Sequence, residues 1–328
     1  MKRTATILVL FAALVCTMAL AVFLGGTALS APEVAAALLH PGSHTTAGVV
    51  IWELRIPRII RAVLVGSSLA GCGTVFQAVL RNPLAEPYTL GVSAGGALGA
   101  TTAIVLGLSG LPMVALCFTG CLASICLVIA MSVFRDFTAS TIILSGVVLS
   151  FLLSSVVMFI FSVASSRDVH ASVLWLMGSL ADTGAVPLPA LGAALAFLLG
   201  MLFVFARDMN LISLGDEKAH LLGLGPGTLK AVLLGLASLV TGLCVAVSGI
   251  IGFVGLIIPH ALRRLTGADH QWLVPASMLS GGIFLLACDT IAQTALRPYE
   301  LPVGVITGMA GGVFFLAYLL KASPPEVF

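Results

Sequence analysis

Residues 81–100 read RNPLAEPYTLGVSAGGALGA and lie between two long apolar runs. An arginine, two prolines and a glutamate interrupt the chain, and Gly91, Gly95 and Gly99 then follow at a spacing of four. Pro83 and Pro87 cannot continue a helix cleanly, and an arginine such as Arg81 is costly at the centre of a bilayer. Residues 81–88 are therefore expected to form a turn at the cytoplasmic membrane face, joining two spanning helices. The three glycines share one helix face, where small residues let two backbones approach closely. Ordinary packing within a bundle accounts for them.

The remainder of the chain places this stretch in lipid. Of 328 residues, 59% are hydrophobic and 9% are charged, and the mean hydropathy is +1.17. A soluble domain carries about 25% charged residues, so lipid must solvate much of this surface. Runs apolar enough to span fall near 5–29, 58–80, 89–108, 112–134, 140–164, 187–206, 229–249, 252–265, 272–296 and 302–320. A spanning helix needs about 20 such residues. Ten transmembrane helices are expected in one all-α domain covering residues 1–328, with the eighth run short enough to be a half-helix that starts deep in the membrane.

The N-terminal run imitates a secretory signal, with Lys2 and Arg3 ahead of it and small residues at Ala28–Ala31. Its apolar part continues from about Ile7 to Leu29, beyond the ~7–15 residues of a signal core, and is read as a retained first helix. With the N-terminus in the cytoplasm, ten basic residues fall inside, among them Arg3, Arg81, Arg135, Lys218, Lys230, Arg263 and Arg264. Five fall outside: Arg55, Arg58, Arg61, Arg167 and Arg297. The bias follows the positive-inside rule, with the cluster from Arg55 to Arg61 as its exception. A net charge of +2 from scattered residues makes no basic stripe for nucleic acid.

Seven cysteines lie in apolar runs with no CxxC pair, so they are expected to be small buried hydrophobes and no metal site is expected. No GxxxxGK[ST] phosphate loop is present, since no GK[ST] follows the glycines at 223–227; HExxH and GxSxG are missing too. The chain reads as a pathway and not as an enzyme. His260, in the Pro259-His260 step of a glycine-rich run, is read as structural. Asp289 is an intramembrane carboxylate and so a candidate functional group, with a structural hydrogen bond as the equal alternative; Gln293 and Arg297 extend its stripe. Residues 207–228 form a cytoplasmic loop whose segment 210–227 suits two short helices along the membrane, with Leu211, Leu214, Ala219 and Leu222 on the apolar side. Residues 172–189 suggest an outer loop with a short interfacial helix.

Several segments together resemble the membrane permeases of FecCD-type (type II) ABC importers, which take up iron–siderophore, haem and cobalamin. They are Leu54-Arg-Ile-Pro-Arg58, Gly66, Gln77, Arg81-Asn-Pro-Leu-Ala-Glu-Pro87 and Gly91. Further along come Gly215, Ala219 and Gly223; Gly252-Phe-Val-Gly-Leu256 with Pro259-His260 and Arg263; Asp269-His270; Asp289-Thr290; and Leu301-Pro-Val-Gly304. The resemblance implies a type II importer permease fold, a dimer with a second permease copy, two cytoplasmic ATPase subunits that use ATP and Mg2+, and an external binding protein. It implies no cofactor on this chain and a place in the bacterial inner membrane, both termini cytoplasmic.

Carried over by motif, the cytoplasmic gate is expected at Asn82, Leu84, Ala139 and Ser140. Coupling to the ATPase falls to Gly215, Asp216, Ala219, Leu222 and Gly223, and docking of the binding protein to Arg55, Arg58 and Arg297. The chain departs from the family pattern at Gln293, where an arginine is common, and at Val313, where a proline is common. Iron–siderophore is the expected cargo, with cobalamin, haem or an oxyanion as alternatives. An ion-coupled secondary transporter is the rival from another class.

Overall fold

The computed structural model describes residues 2–42, 45–133, 138–181 and 185–321; Arg135, counted among the inner charges, lies outside them. In chain order the helices are α1 (Lys2–Phe23), α2 (Ala31–Leu39), α3 (Thr46–Val49), α4 (Ile56–Val79), α5 (Val92–Val105), α6 (Leu111–Val133), α7 (Ala139–Val163) and α8 (Ser166–Leu176). Then follow α9 (Leu188–Val204), α10 (Ala206–Ser213), α11 (Asp216–Leu221), α12 (Pro226–Ser248), α13 (Val254–Thr266), α14 (His270–Thr294) and α15 (Val303–Lys321). A π-helical turn, Val50–Arg55, runs α3 into α4, and a 3-10 turn, Pro87–Leu90, precedes α5. Among the described residues no strand forms.

Each of the ten expected runs holds a helix, but among the described residues six are long and apolar enough to cross a membrane alone: α1, the continuous span through α4, α6, α7, α12 and α14. A seventh appears if α9 and α10, bent by 50°, count as one. The 13 residues of α13 reach only about 20 Å at 1.5 Å per residue, short of a hydrocarbon core of about 30 Å. This helix is the half-helix that its short run implies. α5, with 14 residues, is also shorter than its run, because residues 87–91 are drawn into the turn.

α4 is the axis of the bundle and packs against α14, α12 and α13. Glycine makes this possible. A Cβ on Gly66 would collide with the carbonyl of Gly281, one on Gly281 with that of Gly66, and one on Gly73 with that of Gly255. Backbones therefore touch with no side chain between them, the approach that small residues permit in lipid. Gln77, 3% exposed, reinforces it by donating to the Leu256 carbonyl while its own carbonyl accepts from Arg263. α1, α6 and α7 instead leave most of their apolar side chains outside, Leu144, Phe151, Leu152 and Phe159 of α7 among them. Cys72, Cys117, Cys121, Cys244 and Cys288 are buried, but Cys16 and Cys126 are exposed on the outer faces of α1 and α6.

The glycine row of the opening stretch faces α6. Gly91 adopts φ 78° as the residue before α5, and its carbonyl accepts from Ser124. A Cβ on Gly95 would strike the Gly120 carbonyl, and one on Gly99 the Leu116 carbonyl. Gly95→Leu should thus force α5 from α6 and lower thermal stability in detergent by about 1–3 kcal/mol. An unchanged melting temperature would contradict this packing.

Candidate functional site

Of the five arginines expected outside, Arg55, Arg58, Arg61 and Arg297 gather where α4 begins and α14 ends. A helix leaves its last four carbonyls unsatisfied, and α1 has no basic residue in its last turn to help. Arg55 supplies one from another helix: Nη1 donates to Val22 O at 2.8 Å, and Nη2 donates to Thr27 O. Arg297 Nη2 donates to Gly25 O at 2.6 Å. Arg55 thus closes the C-terminal end of α1, where a cation also suits the helix dipole, and both arginines hold the segment that follows it.

Arg55, expected to dock the binding protein, is 6% exposed and its guanidinium donates to backbone. Arg297, expected in the same role, also donates to backbone but stays exposed. Arg61, 4% exposed, donates to Leu180 O.

Arg58 has a different task. Its Nη2 lies 2.9 Å from Asp289 Oδ1 and its Nε 3.0 Å from Oδ2, a two-point pairing between α4 and α14. Nη1 reaches Glu300 at 2.7 Å. Gln293 donates to Asp289 Oδ2 at 2.7 Å, so the position that departs from the family pattern completes this network. Asp289 is 1% exposed and its oxygens are fully engaged. Of the two readings of Asp289, the structural one describes it. Arg58, expected to dock the binding protein, keeps 13% of its side chain exposed, at a cavity it lines with Arg55, Gln293 and Glu300.

The opposite end collects Arg3, Arg81, Asp216, Lys230, Arg263 and Asp269. Arg3 pairs with Asp269 at 3.2 Å, and Asp269 accepts from Asn210 Nδ2 and caps α14 at Gln271 N. The hydrogen bond from Asn210 is the main reason its carboxyl titrates below the usual range, with burial opposing. Asn82 is half-buried, its Oδ1 accepting from Leu84 N at 2.9 Å, and Leu84 is exposed. Half-buried Ala139 and exposed Ser140 open α7 behind its cap Thr138.

Residues 207–228 do hold two short helices, α10 and α11. α10 buries Ala206, Met209 and Ile212 against the bundle. Outward stand Leu214, Leu221 and Leu222. Ala219, expected on the same apolar side, belongs to the other: it is fully buried, because α11 turns it toward the protein. Gly215 and Gly223 take φ 112° and 86°, which a side chain rarely adopts.

The opening stretch holds a function its sequence did not announce. Only its first part is a surface turn. From Glu86 onward the chain re-enters the bundle, and Tyr88 meets residues 249–253, the unwound stretch between α12 and α13. Its hydroxyl donates to Ile251 O at 2.9 Å and accepts from Ile251 N at 3.3 Å. Non-helical backbone at membrane depth must be satisfied by protein, and one hydroxyl here serves both groups of one residue. Phe253 ends the stretch at φ 69° with its ring over Gly311. The glycines of GIIGFVG hinted at irregular backbone; nothing in the sequence paired Tyr88 with it. His260 packs edge-on against Tyr318, ring centroids 4.9 Å apart. Among the described residues no three His, Cys, Asp or Glu side chains gather as metal ligands.

Comparison with known proteins agrees with this architecture. The profile of the FecCD transport family matches residues 12–321. The cobalamin import system permease protein of Halobacterium salinarum is 41% identical over 315 residues, covering 93% of this chain and 82% of that protein. The hemin transport system permease protein of Yersinia pestis is 38% identical over 280 residues, 83% of each. A solved structure described as an inward-facing metal-chelate type ABC transporter superposes with a TM-score of 0.85 at 30% identity, over 98% of this chain and 100% of the other. The chain belongs to the FecCD transport family, with the fold of a type II ABC importer permease, and is a translocation subunit rather than an enzyme.

Proposed function

We propose that this chain is the permease of an ABC importer that carries an iron–siderophore across the inner membrane. The observation that carries this reading is agreement along the whole chain, 12–321 in the family profile and 98% of the chain in the fold. Cobalamin and hemin are named for the two relatives and a metal chelate for the structural neighbour; cobalamin is the second reading, favoured by the 41% relative. The rival ion-coupled mechanism loses its carboxylate, because Asp289 is held by Arg58 and Gln293.

The whole chain acts as one domain. Its centre is filled by backbones in contact, so a bulky solute passes outside it, between this chain and a second copy. The apolar side chains that α7 leaves exposed supply a face for that homodimer. Arg3, Arg81, Lys230 and Arg263 at one end support placing that end, and both termini, in the cytoplasm. There Asn82, Leu84, Ala139 and Ser140 form the gate. Gly215, Asp216, Leu222 and Gly223 shape the seat of the ATPase, which alone uses ATP and Mg2+; this chain binds no cofactor. The binding protein docks at the other end, where Arg297 is exposed and Arg55 and Arg58 line an open cavity.

The test is uptake into proteoliposomes containing the permease, its ATPase and its binding protein, with a ferric siderophore, haemin and cobalamin offered separately. Accumulation of the ferric siderophore only with ATP and the ATPase is expected. Uptake driven by an ion gradient without the ATPase would overturn the class, and ATP-driven uptake of cobalamin alone would establish the second reading.

A further inference from the structure

We propose that Arg81 and Asp216 are positioning residues that transmit movement of the ATPase seat to the gate turn. The inference rests on the reading of α10 and α11 as that seat. Asp216 is the first residue of α11, and its carboxylate is shared between two cations of unlike surroundings. Lys230 of α12 is 2% exposed, with Nζ 2.6 Å from Oδ2. An ammonium at that depth cannot lose its carboxylate without becoming an unpaired buried charge, so this arm is fixed.

The second arm is loose. Arg81 Nη2 stands 3.5 Å from Asp216 Oδ1, with the two side chains 39% and 42% exposed. Oδ1 is itself shielded from solvent and makes no hydrogen bond at this distance, so the pair holds weakly. Arg81 itself sits in the left-handed region at φ 50°, next after Leu80, the C-cap of α4, and directly before Asn82. A Cβ on Gly215 would lie 3.4 Å from Arg81 Nη1, so the guanidinium lies along the backbone that enters α11. Displacement of α11 therefore reaches residues 81–84 through a side chain that can slide on its carboxylate, while Lys230 keeps that carboxylate in register.

The test uses the full complex in proteoliposomes and compares chelate taken up with ATP hydrolysed, using a ferric siderophore, or cobalamin if that is what the wild type accumulates. Arg81→Gln should keep the melting temperature, ATPase association and ATP hydrolysis of the wild type. Its uptake per ATP should fall about two- to fivefold, the factor an exposed ion pair carries in an equilibrium. Arg81→Lys should restore most of the ratio. Raised salt should lower the ratio in the wild type, since it screens exposed pairs, and leave Arg81→Gln unchanged. A wild-type ratio in Arg81→Gln, loss of ATPase association in it, or no recovery in Arg81→Lys would each overturn the inference. Absence of ATP-driven uptake in the wild type would instead overturn the functional reading beneath it.

Discussion

Asp289→Leu is expected to lower the stability of the protein by about 3–5 kcal/mol, because Arg58 would remain in the bundle without its principal carboxylate. Glu300 still reaches Arg58, but its side chain is 47% exposed and contacts only Nη1. The guanidinium edge formed by Nε and Nη2 would lose the carboxylate it donates to. Gln293 would lose the oxygen it donates to as well. The double variant Arg58→Leu/Asp289→Leu separates the cost of an unpaired charge from the worth of the pair: replacing both members of a buried pair is often neutral, so it should recover most of the loss. Melting in detergent measures both. A melting temperature for Asp289→Leu equal to the wild type would mean that the pairing does not hold α4 to α14.

Tyr88→Phe removes one oxygen and leaves two backbone groups of Ile251 without a partner. Each buried group left unsatisfied costs about 1–3 kcal/mol. The loss should appear first as local opening of residues 249–253, seen as faster amide exchange at Ile251, and then as a lower melting temperature. Uptake should fall with it, since the same residue ties the segment that follows residues 81–84, the proposed gate, to the broken helix. Unchanged exchange at Ile251 would show that its amide has another partner.

These two variants mark where the sequence is legible and where it is not. Composition alone requires lipid, and the apolar runs place each long helix to within a few residues, because hydrophobic length is a property of consecutive residues. Pro83 and Pro87 announce a turn, and Gly95 and Gly99 announce close packing, for equally local reasons. The whole set of motifs is specific enough to indicate the family. The length of α13 is legible too, since its run is visibly short.

Other roles are hidden from the sequence because partners distant in the chain decide them. Arg55 and Arg58 carry the same charge three residues apart, yet one closes the end of α1 and the other meets Asp289, 231 positions away. Charge pattern along a single helix cannot separate a solvated arginine from a capping one. Ala219 and Leu222 look alike on a helix projection, and only the packing of α11 buries one and exposes the other.

Local chemistry therefore sets the solvent, the helix positions and the turns of this chain, because each depends on neighbours along the backbone. The use of each polar group is settled in three dimensions. A buried donor or acceptor must find a partner wherever the fold supplies one, and neither the arginines nor Tyr88 have a partner nearby in sequence.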